Sequence, residues 1–413
     1  MASYESRCFV YYGPGKVTPE TWNLECGPKD IILKIDVCGR CGTDRRLYQK
    51  SHPRVKTPTV LGHELVGRVV EVGPQVGSLS EGIGYMEGER LPPERLTPPV
   101  GTRVTVQGRA ARHRQGLMLM SEPIQNLTFY IPGAYAQYMK VPAEMIQSGT
   151  VLPLPDSVDD EEGALVEPAA CALESIFATP RAVGVDGEGR HLYRGGIRQG
   201  GRTLIIGSGT LAMIYGQLAK LEGAGEVWFI VRSAYKRELI HRVLGTWPSV
   251  TIVEDYSDRD IVGKIQREAE IEQELSDLTH GSLFDDVILA CPSLDAQRLM
   301  FQLLNPDGYG AAVCFAGLHE RSERVNVDSL HYRIGKASGT SGCSTRAMET
   351  VIDWLSGGRL SLKGFSSPKR YTLQDDPAEF FQTGADGRKP MLYPWDESPR
   401  DQGPWDSVPG ISV

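Results

Sequence analysis

The sequence predicts an α/β protein in which a barrel-like β domain precedes a parallel-sheet domain wound with helices. Three observations carry this. A chain of 413 residues exceeds one ordinary hydrophobic core and suits two domains. Roughly the first 150 residues read as short β segments bounded by Gly and Pro. From about residue 159 onward strands alternate with helices, the pattern of a parallel sheet with right-handed crossovers.

Taken in order, the β segments are DIILKIDVCG at 30–39, ELVGRVVEVGPQVG at 64–77, GTRVTVQG at 101–108 and GAYAQYMKVP at 133–142. Each combines apolar runs or period-two alternation with a turn residue at its end. Residues 77–99, rich in Gly, Glu and Pro, read as an inserted loop. In the second half, RTLIIGSG leads into TLAMIYGQLAKLEGA, EVWFIVR into SAYKRELIHRVLG, and FDDVILAC into SLDAQRLMFQLL, with YGAAVCFAG as a further strand. Residues 182–200 are Gly-rich and read as a loose, protruding loop. One more helix is expected over Thr345–Ser356, then a mixed return segment and a polar Pro-rich tail.

Composition excludes several function classes. Lys plus Arg number 44 against 52 Asp plus Glu, a net charge of -8, and no basic block runs long enough to follow a phosphate backbone. Nucleic acid is therefore not an expected partner. The apolar stretch 203–219 holds three glycines and falls short of the roughly 20 residues that span a bilayer, so no membrane association is expected. Glu5 and Arg7 stand where an export signal needs an apolar run, which predicts a cytoplasmic protein. The eight cysteines lack the dense spacing of a disulfide scaffold, leaving metal or redox chemistry as their function.

Gly207, Gly209 and Ala212 form G-x-G-x-x-A between the strand RTLII and a helix, with Thr210 and Leu211 between them. Gly207 permits the tight turn, Gly209 a close approach of pyrophosphate to the backbone, and Ala212 close packing of helix on strand. The helix N-terminus then faces the phosphates with its partial positive charge. At the end of the second strand an NAD-binding carboxylate would be expected, but Val231 stands there, followed by Arg232, Ser233, Lys236 and Arg237. A missing carboxylate beside guanidinium groups suits a ribose 2′-phosphate and favours NADP over NAD. The other reading makes these residues solvated charges at a helix start.

Cys38 and Cys41 are the only C-x-x-C pair, so a closed four-cysteine zinc site has no second half. His63 follows Cys41 by 22 positions, then Glu64, and much later Glu167 in VEPAACAL. One thiolate, one imidazole and one carboxylate make a three-ligand site whose fourth position stays open to substrate. Cys38 reads as a small buried residue.

GRCGTD, LGHELVGRVVEVG, GAYAQYMKVP, VEP and LIIGSGTLA, in this order, resemble the zinc-dependent medium-chain dehydrogenase/reductase family, and within it the polyol and threonine dehydrogenase branch. The likeness covers most of residues 8–393. It implies a GroES-like β-barrel catalytic domain over 1–172 and 337–413, and a Rossmann doubly wound parallel-sheet domain for NAD(P) over 173–336. It further implies Cys41, His63 and Glu167 as zinc ligands, with Glu64 beside the metal as an alternating ligand. Thr43 would bond the substrate hydroxyl and relay its proton, and Asp44 would orient a ligand or the loop. The implied reaction is hydride transfer between an alcohol and the nicotinamide, zinc polarising the oxygen. Homodimers and homotetramers both occur in the family.

Three departures qualify the likeness. Residues 108–129, where the family commonly carries four cysteines for a structural zinc, contain none, so one catalytic zinc and no structural zinc are expected. Arg46 stands five positions after Cys41, where many members have a relaying histidine; it either leaves the relay to water, binds an anionic group, or is a surface residue. The additions at 77–99 and 182–200 and the tail lengthen the chain. The expected function is a zinc alcohol dehydrogenase for a polyol, cyclitol, sugar or amino alcohol. The alternatives are a biosynthetic carbonyl reductase and a non-catalytic, zinc-free relative.

Overall fold

The computed structural model describes residues 2–79, 93–110, 113–114, 117–118, 125–307, 312–316, 328–332, 334–382 and 386–396. Parts of the expected additions at 77–99 and of the 108–129 stretch, and the tail beyond 396, lie outside them. The chain divides into two compact units, Met1–Glu167 with Cys343–Val413, and Pro168–Gly342.

The first unit is a β structure. Its largest sheet runs Val151–Pro153, Arg103–Val106, Glu64–Val72, Ile31–Gly39, Lys389–Leu392, Ser366–Tyr371, with Tyr138–Val141 also paired to Ile31–Gly39. Ile31–Gly39 is buried along most of its length, which is why it reads as an apolar run rather than a clean alternation. A long antiparallel hairpin, Ser3–Gly13 with Lys16–Glu25, packs beside it; it is additional to the four expected β segments, and its first strand buries the apolar run Cys8, Phe9, Val10 and Tyr11. Two registers bring distant side chains to one sheet end: Gly39 pairs with Glu64 on one side and with Met391 on the other. The returning segment also supplies the helix Pro377–Gln382, whose Phe380 and Phe381 pack against Tyr135 and Tyr48. Tyr48 lies on the helix Gly42–Gln49, so the aromatic cluster fixes that helix.

In the second unit six strands form one all-parallel sheet in the order Ser249–Ile252, Glu226–Val231, Arg202–Ile206, Asp286–Leu289, Ala312–Phe315, Lys336–Gly339. Taken in chain order, the spatial sequence is third, second, first, fourth, fifth, sixth. That is the doubly wound topology, whose switch point lies between the first and fourth strands. Ser249–Ile252 and Lys336–Gly339 carry no clear sequence signal, being four residues each and only partly buried.

The 182–200 stretch is not the loose loop expected. It contains a β-hairpin, Pro180–Val185 with His191–Gly195, closed by a turn in which Asp186 Oδ1 accepts the N–H groups of Glu188 and Arg190. β-branched and aromatic residues favour the strands, and the aspartate supplies the turn. Arg181 anchors the hairpin through an ion pair to buried Asp286 and a hydrogen bond to the Gly196 carbonyl at 2.8 Å.

Candidate metal and nucleotide sites

Cys41 caps the helix Gly42–Gln49. Its Sγ accepts the Thr43 N–H at 3.4 Å, while its own N–H donates to Asp44 Oδ2 at 3.3 Å, a reciprocal cap with cysteine in the usual serine position. The thiol is thereby aimed at one end of the large sheet. His63 and Glu64 arrive at the same end, because Glu64 begins a strand whose first residue pairs with Gly39. Ligand atoms of Cys41, His63 and Glu64 all lie within 4.8 Å of one another. A thiol, an imidazole and a carboxylate at that spacing suit a zinc ion.

The surroundings orient these groups. Asp44 is fully buried; its Oδ2 accepts the Tyr135 hydroxyl at 2.6 Å and its Oδ1 lies 3.7 Å from His63 Nδ1. His63 Nδ1 is also 3.3 Å from Thr128 Oγ1. Burial acts to lower the imidazole pKa, yet Asp44 and then Cys41 outweigh it and hold it well above the ordinary histidine value. Burial raises the Asp44 carboxyl, with His63 and Tyr135 opposing.

Lys389 is the residue that sequence reasoning missed. Its Nζ lies 2.8 Å from Glu64 Oε1 and 2.6 Å from Oε2, and both side chains are buried. Burial disfavours the ammonium, but Glu64, Cys41 and Glu167 together hold its pKa above that of a free lysine. Glu167, in the first turn of the helix Val166–Phe177, thus acts by charge on both Lys389 and His63 while standing outside the tight trio. Thr43 and Arg46 are half-buried on the capped helix, Arg46 in its last turn. Cys38 is wholly buried, as its small side chain suggested.

In the second unit, Gly207 takes φ +147°, and a Cβ there would stand 2.8 Å from the Ala290 carbonyl and 3.4 Å from the Ala212 Cβ. Only glycine allows that turn. Gly209 caps the helix Thr210–Leu221 with no side-chain hydrogen bond, so the first-turn N–H groups face the switch point without a built-in side-chain cap. Val231 is buried, and Arg232 extends from the strand end to Asp255 Oδ2 at 2.9 Å and Ser293 Oγ at 3.2 Å. Ser233 caps the helix Ala234–Leu244 by accepting the Lys236 N–H at 3.3 Å, and Arg237 is exposed on that helix. Leu211 and Thr210 follow Gly209 in the first helical turn.

The pattern of the alcohol dehydrogenase GroES-like domain matches residues 27–87. L-threonine 3-dehydrogenase of Pyrococcus abyssi is 25% identical over 371 residues, 88% of this chain and 90% of that protein. Sorbitol dehydrogenase of Rattus norvegicus is 29% identical over 56% of this chain and 57% of its own. The chain belongs to the zinc-dependent medium-chain dehydrogenase/reductase family. Within the family it lies in the polyol and threonine dehydrogenase-like branch, and it is an NAD(P)-dependent alcohol or polyol dehydrogenase. Two solved structures share its fold: a zinc-binding dehydrogenase from Sinorhizobium meliloti bound to NADP, and 2R,3R-butanediol dehydrogenase from Bacillus subtilis, each with a TM-score of 0.71. Identities are 23% and 20%, with coverage of 95% and 94% of this chain and 100% and 99% of theirs. The family's GroES-like barrel and Rossmann sheet correspond to the two compact units of this chain. Among the described residues no helix is long and apolar enough to cross a membrane.

Proposed function

We propose that this dehydrogenase interconverts a polar secondary alcohol, a polyol, cyclitol, sugar or amino alcohol, with its carbonyl form, using one zinc per chain and NADP in preference to NAD. The convergence of Cys41, His63 and Glu64 within 4.8 Å, with Thr43 on the same helix turn, is the observation that carries this reading. Names of relatives that act on threonine and sorbitol support the polar substrate class. Zinc, when bound, supplies a Lewis acid to a hydroxyl oxygen, and the nicotinamide accepts or donates a hydride.

The chain's own residues do the rest. Cys41, His63 and Glu167 hold the metal, and Glu64 serves as the alternating ligand that Lys389 otherwise engages. Thr43 bonds the substrate hydroxyl and takes its proton. Arg46, a permanent cation in the place of a relaying imidazole, binds an anionic group and leaves the onward relay to water. Gly207, Gly209, Thr210 and Leu211 cradle the pyrophosphate, while Arg232, Ser233 and Arg237 meet the 2′-phosphate. The catalytic domain would then comprise 1–172 and 337–413 and the cofactor domain 173–336, in a cytoplasmic homodimer or homotetramer. A preference for NADP, carried by Arg232 in place of a carboxylate, also favours a reductive physiological direction.

Elemental analysis of protein purified without chelator, wild type beside Cys41→Ser, tests the metal reading. About one zinc per chain in the wild type, lost in the variant together with oxidation of polyols or amino alcohols, is expected. No zinc in folded wild-type protein would replace this reading with the zinc-free one.

A further inference from the structure

We propose that Asp255 sets how strongly this protein prefers NADP over NAD, by holding and partly neutralising Arg232. The inference rests on the NADP reading of the proposed function. The position that carries the ribose-binding carboxylate in NAD enzymes is filled by buried Val231, and the next side chain, Arg232, is gripped from both sides. Its Nη1 donates to Asp255 Oδ2 at 2.9 Å, and its Nη2 to Ser293 Oγ at 3.2 Å. Asp255 lies just past the strand Ser249–Ile252, and its other oxygen accepts the Ser257 N–H at 3.0 Å, which fixes the carboxylate. Ser293 caps the helix Leu294–Gln302, beyond the strand Asp286–Leu289. Both members of the ion pair remain about half exposed, at 56% and 49%, so a ligand can reach the guanidinium where it stands.

Charge acts here in two opposed ways. The two hydrogen bonds fix the guanidinium plane, so ordering Arg232 costs an arriving 2′-phosphate little. The same carboxylate cancels much of the arginine's field and repels the roughly two negative charges of that phosphate. NAD presents a neutral hydroxyl there and feels neither effect. Asp255 is thus a positioning residue that moderates NADP affinity through Arg232 and leaves NAD affinity alone.

The test is equilibrium binding of NADPH and NADH, followed by nicotinamide fluorescence on zinc-loaded protein at low salt. Asp255→Asn keeps a hydrogen-bond acceptor for Arg232 and removes the charge. It is expected to tighten NADPH about three- to tenfold and leave NADH within about twofold, the size of an exposed charge interaction. Asp255→Glu restores the wild-type ratio, and added salt shrinks the difference. In an Arg232→Ala background the Asn substitution shifts the ratio clearly less, only by the direct repulsion between carboxylate and phosphate. Unchanged binding of both cofactors in Asp255→Asn overturns the inference while Arg232→Ala still decides the NADP reading separately. Selective loss of NADH in Asp255→Asn also overturns it, since Asp255 is then the ribose ligand. If Arg232→Ala alone leaves the preference unchanged, the NADP reading falls and the inference with it.

Discussion

Lys389→Met removes the ammonium that meets both carboxylate oxygens of Glu64, at 2.8 and 2.6 Å, and keeps most of the aliphatic stem. At an effective dielectric of ~20 the attraction at such a separation is about 6 kcal/mol, part of which desolvation offsets. Removing one partner leaves the other as an uncompensated buried charge, and such losses run to about 3–5 kcal/mol. Because methionine refills the volume, the loss is electrostatic rather than a cavity effect. Zinc changes the balance: a divalent cation beside Glu64 compensates the carboxylate that lysine no longer meets. Chemical denaturation should therefore show a loss of about 3–5 kcal/mol in chelator and a clearly smaller one in saturating zinc. By linkage, the variant's zinc affinity should rise, by roughly tenfold for each 1.4 kcal/mol by which the two losses differ. Equal destabilisation with and without zinc, or a loss below about 1 kcal/mol in chelator, would refute the reasoning.

Gly39→Ala places a Cβ 2.8 Å from Glu64 Oε2 and 3.4 Å from the Lys389 Cδ, so it should cost about 1–3 kcal/mol and weaken zinc binding together, seen by melting and by metal titration. Gly207→Ala forces a residue with a Cβ into φ +147° against the Ala290 carbonyl; dinucleotide affinity should fall at least ~tenfold while zinc content stays at the wild-type value. Burial pushes the Cys8 thiol up to about 12, so the folded chain keeps a proton that an unfolded thiol sheds near pH 9. Stability should fall as pH rises from about 9 towards 12, by at most about 1.4 kcal/mol per pH unit from this group, and Cys8→Ala should lose that slope in denaturant titrations.

The approach of Cys41, His63 and Glu64 to one another was legible in the sequence because they belong to short, contiguous motifs at the ends of two paired strands, whereas Glu167, expected as the third ligand, stands outside that cluster. Cys41 lies two residues beyond Gly39, and Glu64 pairs with Gly39. The 22-residue gap is the path from one strand end to its neighbour, and the motif letters survive that path. Lys389 had no such signal. It sits 325 positions from Glu64, in a strand of four residues whose register alone brings it to the site. The parallel sheet's two edge strands, Ser249–Ile252 and Lys336–Gly339, likewise carry no contiguous apolar motif, while the buried inner strands and the glycine turn at 207–212 were plain. The hairpin over 180–195 was misread because its glycines and charges mark the turn, while its strands expose Val183, Val185, Leu192 and Tyr193 instead of burying them.

Gly39 explains why these groups can meet at all. Its two strand neighbours bring Glu64 from one side and the Lys389–Leu392 strand from the other, and any larger residue would fill the space where carboxylate and ammonium touch. Asp44 works in the same way on the opposite flank, tying the Cys41 backbone, His63 and Tyr135 through one buried carboxylate. Cys41 and His63 thus share one buried carboxylate, His63 with Thr128 as a further contact, and Glu64 meets a buried lysine, so each side chain is oriented by a partner that is itself buried. Groups so restrained lose little further freedom when a metal binds, which is how buried support of this kind makes a site selective in geometry without making it closed. In the proposed role of Glu64 as an alternating ligand, Lys389 and the metal would compete for its carboxylate, and that competition would let a fourth coordination place be given up to substrate and taken back.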